Sequence, residues 1–177
     1  LNTRAAAAEV LARVLRGESL SAALPRCKKI IDPSQHAFLS ELCYGSLRWY
    51  PRIDLYLQAL LKKPIRPKDL EIHALLVAGI YQMAYLNKPA YAVVDESVTA
   101  TKALKKPWAK DMVNAVLRSF LRKKHHLDEE LNSTRAFNTA HPEWFLTALE
   151  DAWPNRINEA IIEANNTRAP MVLRVNK

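Results

Sequence analysis

Apolar residues recur at every third or fourth position along most of the chain, as they do in helices that bury one face. Val10, Leu11 and Val14 show the pattern early in the chain, and Met112 and Val116 repeat it much later. The fold class predicted from this pattern is all-α. The periodic segments predict helices near residues 3–16, 19–25, 33–49, 51–62, 67–86, 90–104, 107–125, 127–138, 141–152 and 155–165.

Prolines punctuate these segments at their starts. Asp32-Pro33 has the pattern of a helix N-cap followed by proline at the first helical position, where no amide hydrogen is needed. The connections are short, so helices that are neighbours in sequence are expected to pack together. The segment 70–86 is apolar on nearly all sides, and we expect it to be the central, most buried helix.

The pattern changes at residues 170–176, where a short β-branched run predicts a strand. A lone strand is not stable in water and needs a partner to pair with. We therefore expect the chain to be the front part of a longer protein.

Composition divides the chain near Asp128, where acidic residues become frequent. Residues 1–126 carry 21 basic and 10 acidic side chains, whereas residues 127–177 carry 5 and 8. We predict a helical nucleic-acid-binding domain over 1–126. Residues 127–177 are predicted to form a helical linker and the start of a further domain.

Positive charge is the feature that points most directly to a function. The chain has a net charge of +8, and the segment 102–124 holds eight basic residues against the single acid Asp111. Such a stripe attracts polyanions and favours phosphate contacts, although a solvated helix face has the same composition. Arginine adds a planar fork that matches phosphate. The candidate RNA-binding residues are Arg4, Arg13, Arg48, Arg52, Arg118, Arg122, Lys123 and Lys124.

Aromatic residues lie among these arginines and can stack on unpaired bases when they are exposed. They are Tyr44, Trp49, Tyr50 and Trp108. Tyr44 and Trp49 are more simply interpreted as core residues. Arg48 can likewise be structural, because Glu96 is expected to pair with an arginine such as Arg48 or Arg118.

Sites for catalysis, cofactors and metals are not predicted. The three glycines form no phosphate-cradling motif, and the five histidines show no metal-ligand spacing. Cys27 and Cys43 form no Cys-x-x-Cys pair and are expected to be reduced, buried thiols of a cytoplasmic protein. No secretory signal pattern and no membrane-spanning run is found. The chain by itself is therefore predicted not to be an enzyme.

Four short motifs occur in order along the chain. They are Glu41-Leu42-Cys43-Tyr44-Gly45-Ser46-Leu47-Arg48, Gly79-Ile80-Tyr81-Gln82-Met83, Ala92-Val93-Val94-Asp95-Glu96-Ser97-Val98 and Val113-Asn114-Ala115-Val116-Leu117-Arg118. Together these motifs resemble the NusB-like domain, the fold of the transcription antitermination factor NusB. This resemblance implies two packed sets of three helices that bind RNA.

The tail of the chain contains His141-Pro142-Glu143-Trp144, Ala164-Asn165-Asn166 and Leu173-Arg174-Val175-Asn176. These segments resemble the bridge in bacterial 16S ribosomal RNA cytosine-C5 methyltransferases of the Sun/Fmu/RsmB family. It implies that a C-terminal catalytic domain follows, with S-adenosylmethionine as the cofactor of the full-length protein. The implied partners are 16S ribosomal RNA and that C-terminal domain. Cys27 and Cys43 match neither of the catalytic cysteine motifs of the family.

Two other functions remain compatible with the sequence. One is a stand-alone antitermination adaptor that binds RNA together with a ribosomal protein. The other is a protein-interaction module that docks on its own catalytic domain and does not touch RNA. An adaptor would not need the Leu-Arg-Val-Asn segment, and a docking module would show an apolar surface patch with its basic stripe unoccupied.

Overall fold

A computed structural model describes residues 2–153, 157–170 and 172–175, and every regular element in them is helical. The all-α prediction is therefore confirmed. Short 3-10 turns that begin at Pro33, Pro67 and Pro107 lead into three of the helices. The α-helices are α1 (Thr3–Leu15), α2 (Leu20–Lys28), α3 (His36–Arg48), α4 (Tyr50–Leu60), α5 (Leu70–Tyr85), α6 (Ala90–Ala103), α7 (Lys110–Leu131), α8 (Arg135–Thr139), α9 (Glu143–Ala152) and α10 (Ile157–Asn166).

Local sequence signals explain where several helices begin. The Asn2 side chain accepts hydrogen bonds from the backbone amides of Arg4 and Ala5, at 2.9 and 3.2 Å, and so caps α1. Asp32 accepts a hydrogen bond from the Ser34 amide at 2.8 Å before Pro33, as the Asp-Pro pattern predicts. These side chains satisfy amides that have no partner inside the helix.

The helices pack as two sets of three. One set is α1, α2 and α3, the other is α5, α6 and α7, and α1 lies against α5 where the sets meet. Helix α4 packs on α5 and α7. Helix α5 is deeply buried, as predicted, with ten of its residues in the interior.

Helix α1 shares the centre of the fold, which the sequence pattern did not predict. Ala5, Ala6, Ala7 and Ala8 are all 0% exposed. Because alanine is small, α2, α3, α5 and α6 can all pack against this one helix. Val10, Leu11 and Val14 predict one buried face of α1, but the run of alanines gives little sign that further faces of the helix are buried.

Helices α3 and α5 approach closely at Gly45. A Cβ atom at this position would overlap the Cζ and Oη atoms of the Tyr81 ring. Tyr81 donates a hydrogen bond to Glu41 at 2.6 Å and stacks on Tyr85 with 5.5 Å between ring centroids. The ring is therefore held on two sides, and the space beside Gly45 is filled.

The helix boundary predicted between residues 125 and 127 is wrong, because α7 continues unbroken to Leu131. Leu127 is buried, and Lys124 and Asp128 form an ion pair one turn apart at 2.6 Å. Phe137 of α8 is also buried in the same core. The division into domains at 126 and 127 stays a prediction, with the structure showing a continuous helix at that point.

The predicted strand near 170–176 is not present in residues 172–175, which form no regular element. Val172, Leu173 and Val175 are all largely exposed. A strand needs hydrogen bonds from a neighbour, and the described residues contain no other strand to supply them. Met171 and Asn176, which the prediction also included, lie outside the described residues.

Candidate nucleic-acid interface

The exposed face of α7 carries the arginines that are best placed to bind phosphate. Arg118 and Arg122 are four residues apart and therefore lie on the same side of the helix. Both are exposed, and they donate only to neutral neighbours, Asn114 at 2.9 Å and Ser119 at 3.0 Å. Neither has an acidic partner among the described residues, so both guanidinium groups remain available to an anion.

The two lysines that follow differ from each other. Lys123 is exposed and forms no ion pair with a described residue. Lys124 binds the Asp128 carboxylate, which also accepts a hydrogen bond from Tyr56. Burial by itself would raise the pKa of Asp128, but these bonds hold it below its ordinary value. The Tyr56–Asp128 hydrogen bond joins α4 to α7, and Lys124 pairs with the same carboxylate from within α7.

Arg4 lies inside the fold. Its Nε donates to Gln82 at 3.0 Å, and Nη1 pairs with Glu96 at 3.2 Å. Gln82 is completely buried, and the guanidinium also lies over the Phe38 ring at 5.5 Å. The expected partner of Glu96 was Arg48 or Arg118, and that expectation is wrong because Arg4 fills this role. The structure therefore places Arg4 as a tie between α1, α5 and α6.

Arg52 is also engaged within the protein. Its Nε and Nη2 donate to the carbonyl oxygens of Phe137 and Asn138 at 2.5 and 2.6 Å. The guanidinium lies over the rings of Trp49 and Phe137, at 5.2 and 5.1 Å from their centroids. These contacts hold α8 against α4 and leave little of the fork for an external phosphate.

The two remaining candidates lie away from α7. Arg13, on α1, is half exposed and 4.0 Å from Glu18. Arg48, at the end of α3, is partly buried and forms no ion pair with a described residue. Helix α1, which carries Arg13, packs against α2, α3, α5 and α6.

The aromatic candidates separate into core and surface residues. Trp49 stacks on Tyr85 with 4.5 Å between centroids and packs against the core, as interpreted from the sequence. Tyr44 is 54% exposed, so its interpretation as a core residue is wrong. Trp108 is 58% exposed and lies in the turn that leads into α7.

A second basic segment, which is absent from the candidates predicted above, connects α4 to α5. Lys62, Lys63, Arg66 and Lys68 are all exposed there. The signal was present as four cations and two prolines within seven residues, 62–68. The segment 102–124 holds more basic residues in total, eight against four, and the prediction therefore favoured α7 over this loop.

A polar cluster beside this loop has a pH-dependent consequence. The Asp54 carboxylate lies 3.2 Å from His73 Nε2 and accepts a hydrogen bond from Gln58 at 2.7 Å. Burial alone would raise the pKa of Asp54, but bonds from His73, Gln58 and Tyr50 lower it overall. Burial, followed by the Asp54 charge, raises the pKa of Tyr50 to about 12.

We expect Asp54→Asn to be most destabilising near neutral pH and less so in acid. Because the pKa of Asp54 is lower in the folded state than in the unfolded state, where it is near 3.9, the ionised carboxylate stabilises the fold at any pH above the unfolded pKa. This stabilisation is lost as the pH falls through the folded pKa. Unfolding of both proteins, measured from pH 7 down to about 2.5, should show the difference between them shrinking below about pH 4. A difference that stays constant across this range would contradict the assignment.

The two thiols are buried, and burial raises the pKa of Cys43 to about 12 and raises that of Cys27 as well. A thiol in that state is a poor nucleophile at neutral pH. The part of the chain that the structure describes contains no group of three or more His, Cys, Asp or Glu residues suited to a metal ion. No helix within the same residues has the length and apolar character to cross a membrane.

Comparison with known proteins places this arrangement in a family. Residues 1–122 match the NusB family over more than half of the chain. The chain belongs to the NusB family. Residues 141–177 match the ferredoxin-like domain of RsmF/B-like methyltransferases. The resemblances found in the helical motifs and in the tail are both confirmed.

Relatives of known name extend this NusB-family assignment. Proteins called ribosomal RNA small subunit methyltransferase B are 45% identical in Vibrio vulnificus and 43% identical in Vibrio cholerae, each over 99% of this chain. The Pseudomonas putida protein of the same name is 42% identical over 100% of it. The chain spans about 41% of the length of each of these relatives.

Proposed function

We propose that this chain is the RNA-binding, noncatalytic part of an S-adenosylmethionine-dependent methyltransferase that forms 5-methylcytosine in 16S ribosomal RNA. Its role would be to seat the ribosomal RNA for a C-terminal catalytic domain. The observation that carries the proposal is the exposed α7 face, where Arg118, Arg122 and Lys123 have no acidic partner among the described residues. We take the RNA class from the names of the relatives.

The proposal assigns the chemistry to the part of the longer protein beyond these residues. S-adenosylmethionine and the catalytic cysteines would belong to the C-terminal domain, and the cytoplasm would be the site of action because ribosomal RNA is modified there. Cys27 and Cys43 are buried, so they are poor substitutes for those cysteines. In this view residues 1–126 hold RNA and residues 127–177 lead to the catalytic domain.

Apolar exposure in the second part of the chain supports contact with that domain. Trp144 is 72% exposed, and Val172 and Leu173 are still more exposed. Large apolar side chains left this exposed are available to a protein partner. The same observation favours the docking module as a second candidate, in which the chain binds only its catalytic domain and the α7 face binds no RNA.

The test is to neutralise the α7 face and measure RNA affinity over a range of salt. Arg118→Gln, Arg122→Gln and Lys123→Gln together should weaken binding of a 16S ribosomal RNA fragment by about 10- to 30-fold near 0.1 M salt. The salt slope should fall by about 2 to 3, since each lost phosphate contact contributes about 0.7 to 0.9. All three residues are exposed, so the fold is expected to persist.

A matched control removes the same charge elsewhere. Lys29, Lys88 and Arg168 are exposed cations on other parts of the chain, and their triple replacement by glutamine should change affinity and slope much less. Equal losses in the two triple variants would show only a nonspecific charge effect. An unchanged affinity in the α7 variant would reject the RNA role of this face and leave the docking module as the better function.

A further inference from the structure

A groove of about 470 Å³ lies between the α4–α5 loop and the start of α7. Pro64 and Ile65 form part of its apolar lining, together with Trp108 and Met112. Lys63, Arg66 and Lys68 supply its positive charge. Flat aromatic surface and cations therefore face the same space.

The two walls of the groove are fastened to each other. Lys106 Nζ, from the turn before α7, donates to the Lys68 carbonyl at 2.7 Å and to the Asp69 carboxylate at 2.7 Å. It also pairs with Glu71 at 3.1 Å. Pro67 and Pro107 restrict the backbone on either side. The groove is thus a preorganised feature of the fold.

The groove carries a net positive charge. Among the residues that the structure describes, Asp69 is the only acid that lines the groove, and Lys106 already neutralises that carboxylate. Lys63, Arg66 and Lys68 are exposed and form no ion pair with any residue within 2–153, 157–170 or 172–175. An anion that enters the groove would therefore meet three cations with no acid competing for them.

Trp108 indicates which anion fits. A tryptophan that is 58% exposed keeps a large apolar ring in water, and Met112 lies beside it in the groove. Aromatic rings next to cations are the usual platform for unpaired bases, whose faces stack while phosphates contact the charges. The bases of a duplex are stacked on one another and do not offer a free face to such a ring.

We propose that this groove binds a single-stranded segment of RNA, with one base stacked on Trp108 and the flanking phosphates on Lys63, Arg66 and Lys68. The inference rests on the proposed RNA-binding function and adds a second contact region to the α7 face. It assigns the recognition of unpaired nucleotides to the groove. It also gives a role to the basic loop 62–68, which RNA binding by the α7 face does not explain.

The test compares two labelled probes. One is an oligouridine of about ten nucleotides, which lies within the usual range of single-strand site sizes, and the other is a hairpin duplex of about ten base pairs. Trp108→Ala in the 177-residue chain should weaken oligouridine binding about 5- to 150-fold, the range for losing one stacked base. The duplex should be affected much less. Trp108→Phe should keep most of the affinity, and Trp144→Ala, at another exposed tryptophan, should keep all of it.

Salt dependence separates the charges from the ring. Trp108→Ala should leave the salt slope unchanged, whereas Lys63→Gln, Arg66→Gln and Lys68→Gln together should lower it by about 2 for the single strand. Circular dichroism and thermal unfolding of each variant would verify that the fold persists.

The outcomes distinguish the groove from the α7 face. If Trp108→Ala leaves oligouridine affinity intact while the α7 triple variant still loses ribosomal RNA, the groove assignment is wrong and the proposed function stands. Equal losses on both probes would also overturn the single-strand assignment. If the unmodified chain binds neither these probes nor the 16S ribosomal RNA fragment but binds an acidic peptide such as polyglutamate, the groove is a protein site and both RNA assignments fail.

Discussion

Replacing Gly45 by alanine should lower the free energy of unfolding by about 2–4 kcal/mol, against the usual trend for a glycine inside a helix. Helix propensity alone would favour the alanine by about 1 kcal/mol. Here the new methyl group would overlap the Tyr81 ring, which is fixed by Glu41 and by the stack on Tyr85. Denaturant unfolding of the wild type and the variant would measure the loss.

The matched control is the same substitution in a Tyr81→Ala background. Without the ring the overlap disappears, so Gly45→Ala should become neutral or stabilising by up to about 1 kcal/mol. This reversal of sign separates steric overlap from any general intolerance at position 45. If Gly45→Ala is equally harmful in both backgrounds, the close approach of α3 and α5 is not the reason for the glycine.

Replacing Arg52 by methionine should lower the free energy of unfolding by about 3 kcal/mol. The change removes two charged hydrogen bonds to the Phe137 and Asn138 carbonyls, each typically worth about 1.5–3 kcal/mol. It also removes the contacts of the guanidinium with two rings. The methionine keeps much of the stem, so the loss reports on the polar fork, and hydrogen exchange at α8 should increase most.

Arg48→Met is the control for Arg52→Met, because Arg48 ends a nearby helix and forms no ion pair with a described residue. It should cost well under 1 kcal/mol, as expected for a side chain without such a network. Arg52→Lys should not restore stability, since an ammonium group does not reproduce the planar fork. RNA affinity of folded Arg52→Met that matches the wild type would support a structural role, whereas a stable variant with weakened RNA binding would contradict it.

The helical architecture was predictable because periodicity, prolines and capping side chains all favour the same elements. The first seven helices lie close to their predicted positions. The exceptions have physical causes. The alanines of α1 form no apolar stripe that would mark this helix as central. The change of charge at Asp128 was interpreted as a helix break, although Leu127 continues the buried face of α7.

Individual arginines were harder to assign, because the sequence shows their charge and not their partners. Arg4 and Arg52 are as basic as Arg118, but their contacts lie 78 to 92 and 85 to 86 positions away along the chain. Only tertiary packing decides which cation is already neutralised. The proposed RNA interface therefore consists of Arg118, Arg122 and Lys123 on α7, together with the loop around Arg66.

The continuity of α7 has a mechanical consequence for any RNA bound to it. An α-helix rises 1.5 Å per residue, so Arg118 and Leu131 are separated by about 20 Å of stiff rod. A flexible linker would leave the position of the bound RNA strand undefined relative to the residues after Leu131. A rigid helix fixes both the distance and the angle between them. The helix would then act as a rigid spacer that determines the position at which a nucleotide is presented.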